Sequence, residues 1–231
     1  MEEEKRPFTS RMAKWQYLVV LLYLPAHVFG LPLLLTEANA RGYMTIGMAN
    51  FWLYAVGAVL MVLLLWGFLR RELDPLLDRP FAALWEILRS YLLIWCAETG
   101  IALLLSLFGL EADAANNRAA IELLRAERGP MIAVSVFLAP IVEECLFRGG
   151  LFGLLRTKSR TAAYLVSALA FGLYHVLAYV QDDPLQLLYV LEYLPAGLLL
   201  ARCYERTDCL WSSMLLHGFC NGISFWMILH G

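Results

Sequence analysis

Three short polar motifs, "EECLFR", "FGLYH" and "HGFCN", interrupt long apolar stretches of this sequence. Each motif carries carboxylate, imidazole or carboxamide side chains, which can move protons or donate hydrogen bonds. An ionised group at the centre of an apolar helix costs about 2.5–3.5 kcal/mol on insertion scales, so such groups usually face a partner or a water-filled cavity. The residues concerned are Glu143, Glu144, Arg148, Phe171, His175, His217 and Asn221.

Water activation is the chemistry that these side chains indicate. A carboxylate and a neutral imidazole beside one water molecule can remove its proton when the site is shielded from bulk water. Neutral His and Asn side chains can donate hydrogen bonds to the oxyanion that forms when this water attacks an amide carbonyl. Equally, Glu143, His175 and His217 could bind a divalent metal such as zinc and leave a fourth position for water.

The spacing within the first motif predicts one ion pair. Glu144 and Arg148 are four residues apart with the acid nearer the N-terminus, which places them on one face of a helix and predicts that they pair. Glu143 lies about 100° around the helix from Glu144. It therefore has no evident partner in the sequence.

Other polar residues of the apolar segments are predicted to have structural roles. His27 is interpreted as a hydrogen-bonded core residue. Two further acids, Glu98 and Glu192, could neutralise Arg89 or Arg148 or accept a proton, and a structural role is expected ahead of a catalytic one.

The apolar stretches predict an integral membrane protein. Of the 231 residues, 61% are hydrophobic and 16% charged, whereas soluble domains carry roughly 45–50% apolar and about 25% charged residues. Because a span needs about 20 mainly apolar residues, we predict an all-α transmembrane bundle of about seven spans. They run approximately over residues 15–35, 46–69, 84–107, 131–155, 161–180, 185–204 and 209–229.

The distribution of charge predicts the orientation and the partners. Basic residues collect on one side of the predicted spans, which places the N-terminus in the cytoplasm. The net charge of −2 and the lack of a basic block argue against nucleic acid as a partner. The lipid bilayer and a polypeptide substrate are expected instead. The basic residues of the cytoplasmic side are Lys5, Arg6, Arg11, Lys14, Arg70, Arg71, Arg79, Arg156, Lys158, Arg160, Arg202 and Arg206.

The N-terminal part of the chain contains two ambiguous segments. The first span could be a signal peptide, because "ANA" follows it like a cleavage site, but its apolar stretch exceeds the roughly 7–15 residues typical of such a peptide. A retained span is therefore predicted. In the loop 109–130, "AAIELLRAERG" has the helical separation of apolar and charged residues that is typical of an interfacial helix, with a gating lid as the alternative.

The three motifs, in this order and each on its own span, resemble those of the CPBP family. This family comprises the CAAX prenyl endopeptidases and bacteriocin-processing proteins and is also called the ABI family. The motifs EExxxR, FxxxH and HxxxN are complete here, within a region of about residues 130–229. We therefore divide the chain into residues 1–129, with three spans and an extracytoplasmic interfacial helix, and residues 130–231, with a catalytic core of four spans.

The resemblance implies an intramembrane endopeptidase whose catalytic residues line a cavity within the bilayer. Glu143 would be the general base, and His175 would help to activate the water. His217 and Asn221 would stabilise the oxyanion. The site would be supported by Glu144, Arg148 and Phe171.

The resemblance leaves the cofactor and the substrate open. The family is often labelled as metalloproteases, yet a metal-free, glutamate-dependent mechanism has also been argued for it. In the plasma membrane of a prokaryote we expect a peptide precursor or a membrane-anchored substrate, and a prenylated tail only where the organism prenylates proteins. Two other functions remain open at this point, namely a proton-coupled transporter and a non-catalytic scaffold or immunity protein.

Overall fold

The apolar stretches form helices in the computed structural model, which describes residues 8–110 and 113–231. Within these ranges there is no strand, so the predicted all-α class is confirmed. The helices are α1 (Lys14–Ala40), α2 (Ile46–Arg71), α3 (Leu73–Asp78), α4 (Pro80–Leu107), α5 (Ala115–Ala126), α6 (Arg128–Arg156), α7 (Arg160–Tyr179), α8 (Pro184–Thr207) and α9 (Leu210–His230).

The predicted membrane spans correspond to seven of these helices. Six of them, α1, α2, α4, α6, α7 and α8, are long and apolar enough to cross a membrane. Helix α9 also forms as predicted, over 21 residues, but the Ser, His and Asn side chains on it reduce its hydropathy. Lys5 and Arg6, on which the predicted orientation partly rests, lie outside the described residues.

Capping residues fix the ends of several helices around the site. The Thr45 hydroxyl accepts a hydrogen bond from the backbone N–H of Met48 at the start of α2, and Ser159 does the same for Ala162 at the start of α7. Asp208, in the left-handed region at φ 49°, ends α8 and allows the chain to turn sharply into α9. Helices α8 and α9 therefore lie side by side and both reach the site.

Helix α6 lies at the centre of the bundle. Every residue from 142 to 150 is buried. Glycines allow close helix contacts around it, because a Cβ at Gly218 would lie 2.5 Å from the carbonyl oxygen of Val136, and one at Gly197 would lie 2.9 Å from Cα of Ala168. These approaches bring α9 against α6 and α8 against α7.

The predicted interfacial helix forms as α5 and is attached at both ends. At its start, the backbone N–H of Ala114 donates to Oε2 of Glu192 on α8 over 3.1 Å. Just after its end, Oε1 of Glu127 accepts from the backbone N–H of Gly47 on α2 over 3.0 Å. Helix α5 thus links α8 to α2.

The segment that precedes α1 is attached to the ends of α2 and α8. The backbone N–H groups of Thr9 and Ser10 each donate to Oδ1 of Asp208 over 2.8 Å. The Ser10 hydroxyl donates to Oε1 of Glu72 over 2.5 Å, and the backbone N–H of Leu210 donates to Oε2 over 2.8 Å. Glu72 is buried, and this burial raises its pKa from the ordinary 4.5 to about 7.

This shift predicts that stability falls as the pH rises. The pKa of Glu72 is higher in the folded state than in the unfolded state. Its contribution to the free energy of unfolding is therefore present below about pH 4.5 and is lost as the pH rises through about 7. The other charged groups that act on it are Asp208, which raises its pKa, and Arg71, which lowers it. The melting temperature of the detergent-solubilised protein should therefore decrease between about pH 5 and pH 8.

The matched variant for this measurement is Glu72→Gln, which keeps the size of the side chain and one acceptor oxygen and removes the ionisation. Its melting temperature should change less over the same pH range. An equal decrease in the parent and in the variant would show that another group is responsible.

Candidate active site

The three motifs converge around one carboxylate oxygen. Oε2 of Glu143 lies 3.9 Å from Nε2 of His175 and 3.9 Å from Nε2 of His217. These separations are too long for direct hydrogen bonds, but each can be bridged by a water molecule about 2.8 Å from both atoms. The structure therefore brings together Glu143, which the sequence predicts to be the general base, and both predicted imidazoles.

The second glutamate orients one of these imidazoles. Nδ1 of His217 lies 3.0 Å from Oε1 of Glu144, and the hydroxyl of Ser213 donates to Oε2 over 2.5 Å. Because a carboxylate only accepts hydrogen bonds, we assign the proton of neutral His217 to Nδ1. The lone pair of Nε2 then faces Glu143.

The other imidazole is oriented by its own helix. Nδ1 of His175 lies 2.8 Å from the backbone carbonyl oxygen of Phe171, which can only accept. This contact explains the FxxxH spacing, since the carbonyl lies one helical turn before the ring. Nε2 of His175 therefore also presents a lone pair to Glu143. The ring of Tyr193 stacks on His175, with centroids 4.5 Å apart and planes 22° apart.

Arg148 balances the buried charge of Glu144, as the sequence predicts. Nε of Arg148 lies 3.3 Å from Oε2 of Glu144, and both side chains are wholly buried. The guanidinium carbon lies 4.3 Å from the centroid of the Phe171 ring. Phe171 thus contacts Arg148 through its ring and His175 through its carbonyl group.

Asn221 lines the same cavity as Glu143 and is fixed by the backbone of α6. Its Nδ2 donates to the carbonyl oxygen of Ser135 over 2.8 Å. Ser135 belongs to the π-helical segment Ala133–Leu138, a local irregularity that often marks functional sites. An amide group carries two hydrogens, so the second one is available to an oxyanion.

A cavity of about 760 Å³ opens beside the three motifs. This volume lies within the range of about 300–1,000 Å³ that is typical of ligand sites. Four acids, Glu98, Asp113, Glu143 and Glu192, are among the described residues that line the cavity. The described lining contains no Lys or Arg. The cavity can therefore hold a short stretch of polypeptide next to the base.

The two additional acids have different surroundings. Glu192 anchors α5 through Ala114, so its predicted structural role is confirmed, but it does not neutralise Arg148, which Glu144 already pairs. Glu98 lines the cavity and forms no hydrogen bond or ion pair with any residue in the described ranges. The expected pairing of these acids with Arg148 is therefore wrong, because Arg148 faces its own helix neighbour.

Several residues of the site carry no signal in the sequence. The hydroxyl of Tyr54 on α2 donates to Oε1 of Glu143 over 2.9 Å. Tyr174 contacts Tyr54, and Ser213 contacts Glu144. Only Tyr174 lies within a motif, and no spacing rule connects Tyr54 to a residue 89 positions later.

The residues predicted to bind a metal provide suitable atoms at unsuitable distances. Two imidazole Nε2 lone pairs and a carboxylate oxygen are ligands that zinc prefers. However, ligands about 2.0–2.1 Å from a tetrahedral zinc lie about 3.3 Å apart, whereas Glu143 Oε2 lies 3.9 Å from each imidazole. No group of three His, Cys, Asp or Glu residues in the described ranges is positioned to hold a metal ion. We therefore assign no step of the reaction to a metal ion. Metal binding by these residues stays a prediction from the sequence.

Comparisons with known proteins agree with the motifs. Residues 126–223 match the family described as "Type II CAAX prenyl endopeptidase Rce1-like". The chain is also 28% identical over 139 residues to "Putative membrane peptidase YdiL" of Bacillus subtilis (strain 168), an alignment that covers 60% of this chain and 53% of that protein. The chain thus spans about half the length of the curated relative it matches. No solved structure matches the chain.

Proposed function

We propose that this chain, whose residues 126–223 match the Rce1-like family model, is an intramembrane endopeptidase of the CPBP family. It hydrolyses a peptide bond in a membrane-associated protein or peptide precursor. The observation that carries this proposal is the convergence of Glu143, His175 and His217 beside one cavity. The Bacillus relative fits a location in the plasma membrane of a prokaryote.

In the proposed reaction, Glu143 acts as the general base. A water molecule next to Oε2 loses a proton to Glu143 while its oxygen attacks the carbonyl carbon of the scissile peptide bond. The second hydrogen of this water is donated to the Nε2 lone pair of one imidazole, either that of His175 or that of His217, and this bond orients the water. When the tetrahedral intermediate collapses, the C–N bond breaks and the proton on Glu143 passes to the leaving amine.

The oxyanion of the intermediate is stabilised by Asn221 in this scheme. The second hydrogen of its Nδ2 is available, while the first holds the carbonyl group of Ser135. His217 donates from Nε2 only when it is doubly protonated, since its Nδ1 proton faces Glu144. We therefore propose that neutral His217 mainly orients the water, and that its expected role toward the oxyanion depends on protonation.

Reconstituted protein provides the test of this function. Proteoliposomes with the purified protein are incubated with membrane extract from cells that lack it, and new peptide termini are identified by mass spectrometry. Specific new termini are expected with the protein and not with protein-free liposomes. No new termini, together with a proton-coupled flux across the same proteoliposomes, would contradict the proposal and favour a transporter.

A further inference from the structure

A chain of hydrogen bonds leads from Glu143 to the first helix. The Tyr54 hydroxyl donates to Oε1 of Glu143 over 2.9 Å and lies 2.6 Å from the Tyr174 hydroxyl. The Tyr174 hydroxyl lies 3.2 Å from Nε2 of His27, and Nδ1 of His27 lies 3.4 Å from the Tyr23 hydroxyl. Hydrogen bonds thus connect Glu143, in sequence, to Tyr54, Tyr174, His27 and Tyr23.

The number of available hydrogens fixes the direction of this chain. Tyr54 has one hydroxyl hydrogen, which goes to Glu143, so it must accept from Tyr174. Tyr174 then has no hydrogen left for His27, so Nε2 of His27 must be the donor. Nδ1 of His27 consequently accepts from Tyr23. Every bond donates toward the carboxylate, and such aligned chains strengthen their members cooperatively.

The surroundings of the chain keep it in place. His27 is wholly buried, and its ring centroid lies 5.2 Å from that of Tyr54 and 5.9 Å from that of Tyr174. It belongs to the π-helical segment Ala26–Gly30, which turns the ring out of the regular helical register of α1. The sequence identifies His27 correctly as a hydrogen-bonded core residue but does not reveal its connection to Glu143.

The two oxygens of Glu143 therefore have different roles. Oε1 accepts the hydrogen bond from Tyr54, whereas Oε2, which has no hydrogen-bond partner among the described residues, faces His175 and His217. A carboxylate held by one oxygen cannot rotate freely, so the other oxygen stays directed at the water position. This pre-orientation is what general base catalysis requires.

We propose that Tyr54 is a positioning residue for the hydrolysis, and that Tyr174 and His27 support it through the same chain of hydrogen bonds. Tyr54 and His27 lie outside the family-matched residues 126–223. Helices α1 and α2 therefore complete the active site in addition to forming the bundle. This inference rests on the proposed function, because it assigns Tyr54 a role in the reaction of Glu143.

The test compares Tyr54→Phe with Tyr91→Phe. The probe is an internally quenched peptide that spans a cleavage site found with the reconstituted parent protein. Losing a hydrogen bond to a charged group should lower kcat of Tyr54→Phe about 10- to 100-fold, while KM and the melting temperature stay close to those of the parent. Tyr174→Phe should show a smaller loss of kcat. Tyr91 packs on Phe219 and is not part of the chain of hydrogen bonds, so Tyr91→Phe should have the kcat of the parent.

A second measurement observes the hydrogen bond without activity. The infrared spectrum of the parent minus that of Glu143→Gln isolates the carboxyl band of Glu143, and the same difference in the Tyr54→Phe background should show this band shifted. An unshifted band, or a Tyr54→Phe variant with the parent's kcat while Glu143→Gln is inactive, would overturn the inference and leave the proposed function intact. If Glu143→Gln itself is fully active, the proposed function fails, and the infrared comparison still decides whether the bond exists.

Discussion

Glu143→Gln is expected to reduce kcat/KM by about 1,000-fold, because it removes the general base and keeps the size of the side chain. Gln can still accept the hydrogen bond from Tyr54, so the position of the side chain should change little. What is lost is the capacity of Oε2 to take a proton from a water molecule between His175 and His217. The measurement is the initial rate of hydrolysis of the quenched peptide by purified variants with matched melting temperatures.

Glu98→Gln is the matched control for this experiment. Glu98 lies in α4 and lines the same cavity, but it forms no hydrogen bond or ion pair with residues in the described part of the chain. The same chemical change is therefore expected to leave kcat within a few-fold of the parent's value, whatever it does to KM. Equal losses in both variants would contradict the specific role of Glu143.

Arg148→Ala is expected to lower the free energy of unfolding by about 3–5 kcal/mol, because it leaves Glu144 as a buried charge without its partner. Both side chains are wholly buried, and Glu144 also positions His217 and Ser213. The cavity left under the Phe171 ring adds to this loss. Folded yield and the denaturant midpoint in detergent measure the effect.

Two further variants make this prediction decisive. Arg41→Ala breaks an exposed pair with Glu37 that has the same i,i+4 spacing and should change stability by less than about 1 kcal/mol. The double variant Glu144→Gln with Arg148→Met removes both buried charges and should recover part of the yield lost in Arg148→Ala. A normal yield and midpoint for Arg148→Ala would show that the ion pair is dispensable.

The sequence predicts the elements of the bundle because its signals are local. Apolar length predicts the seven helices, and six of them are long and apolar enough to cross a membrane. The i,i+4 spacing of Glu144 and Arg148 predicts their pairing, which the structure confirms. The motifs fall together in part because Glu143 and His217 find their polar partners on other helices.

The remaining part of the site depends on contacts between distant segments. Tyr54 follows no pattern in α2, since a tyrosine in a membrane helix is ordinary until the position of Glu143 is known. Likewise, His27, in the π-helical segment of α1, contacts Tyr174 across 147 positions of the sequence, which no spacing rule predicts. The protonation pattern of His217 also requires the geometry, because it follows from the contact of Nδ1 with Glu144.

The most direct test of the central claim is a comparison of peptide termini in cells. Membranes and medium of a deletion strain that expresses either the parent or Glu143→Gln, at levels matched by immunoblot, are analysed by mass spectrometry. We predict that a specific set of termini is present with the parent and absent with Glu143→Gln, and these termini identify the substrate and its cleavage site. Identical sets of termini, with a phenotype that still separates both strains from the deletion strain, would contradict the account and indicate a non-catalytic binding or scaffold role.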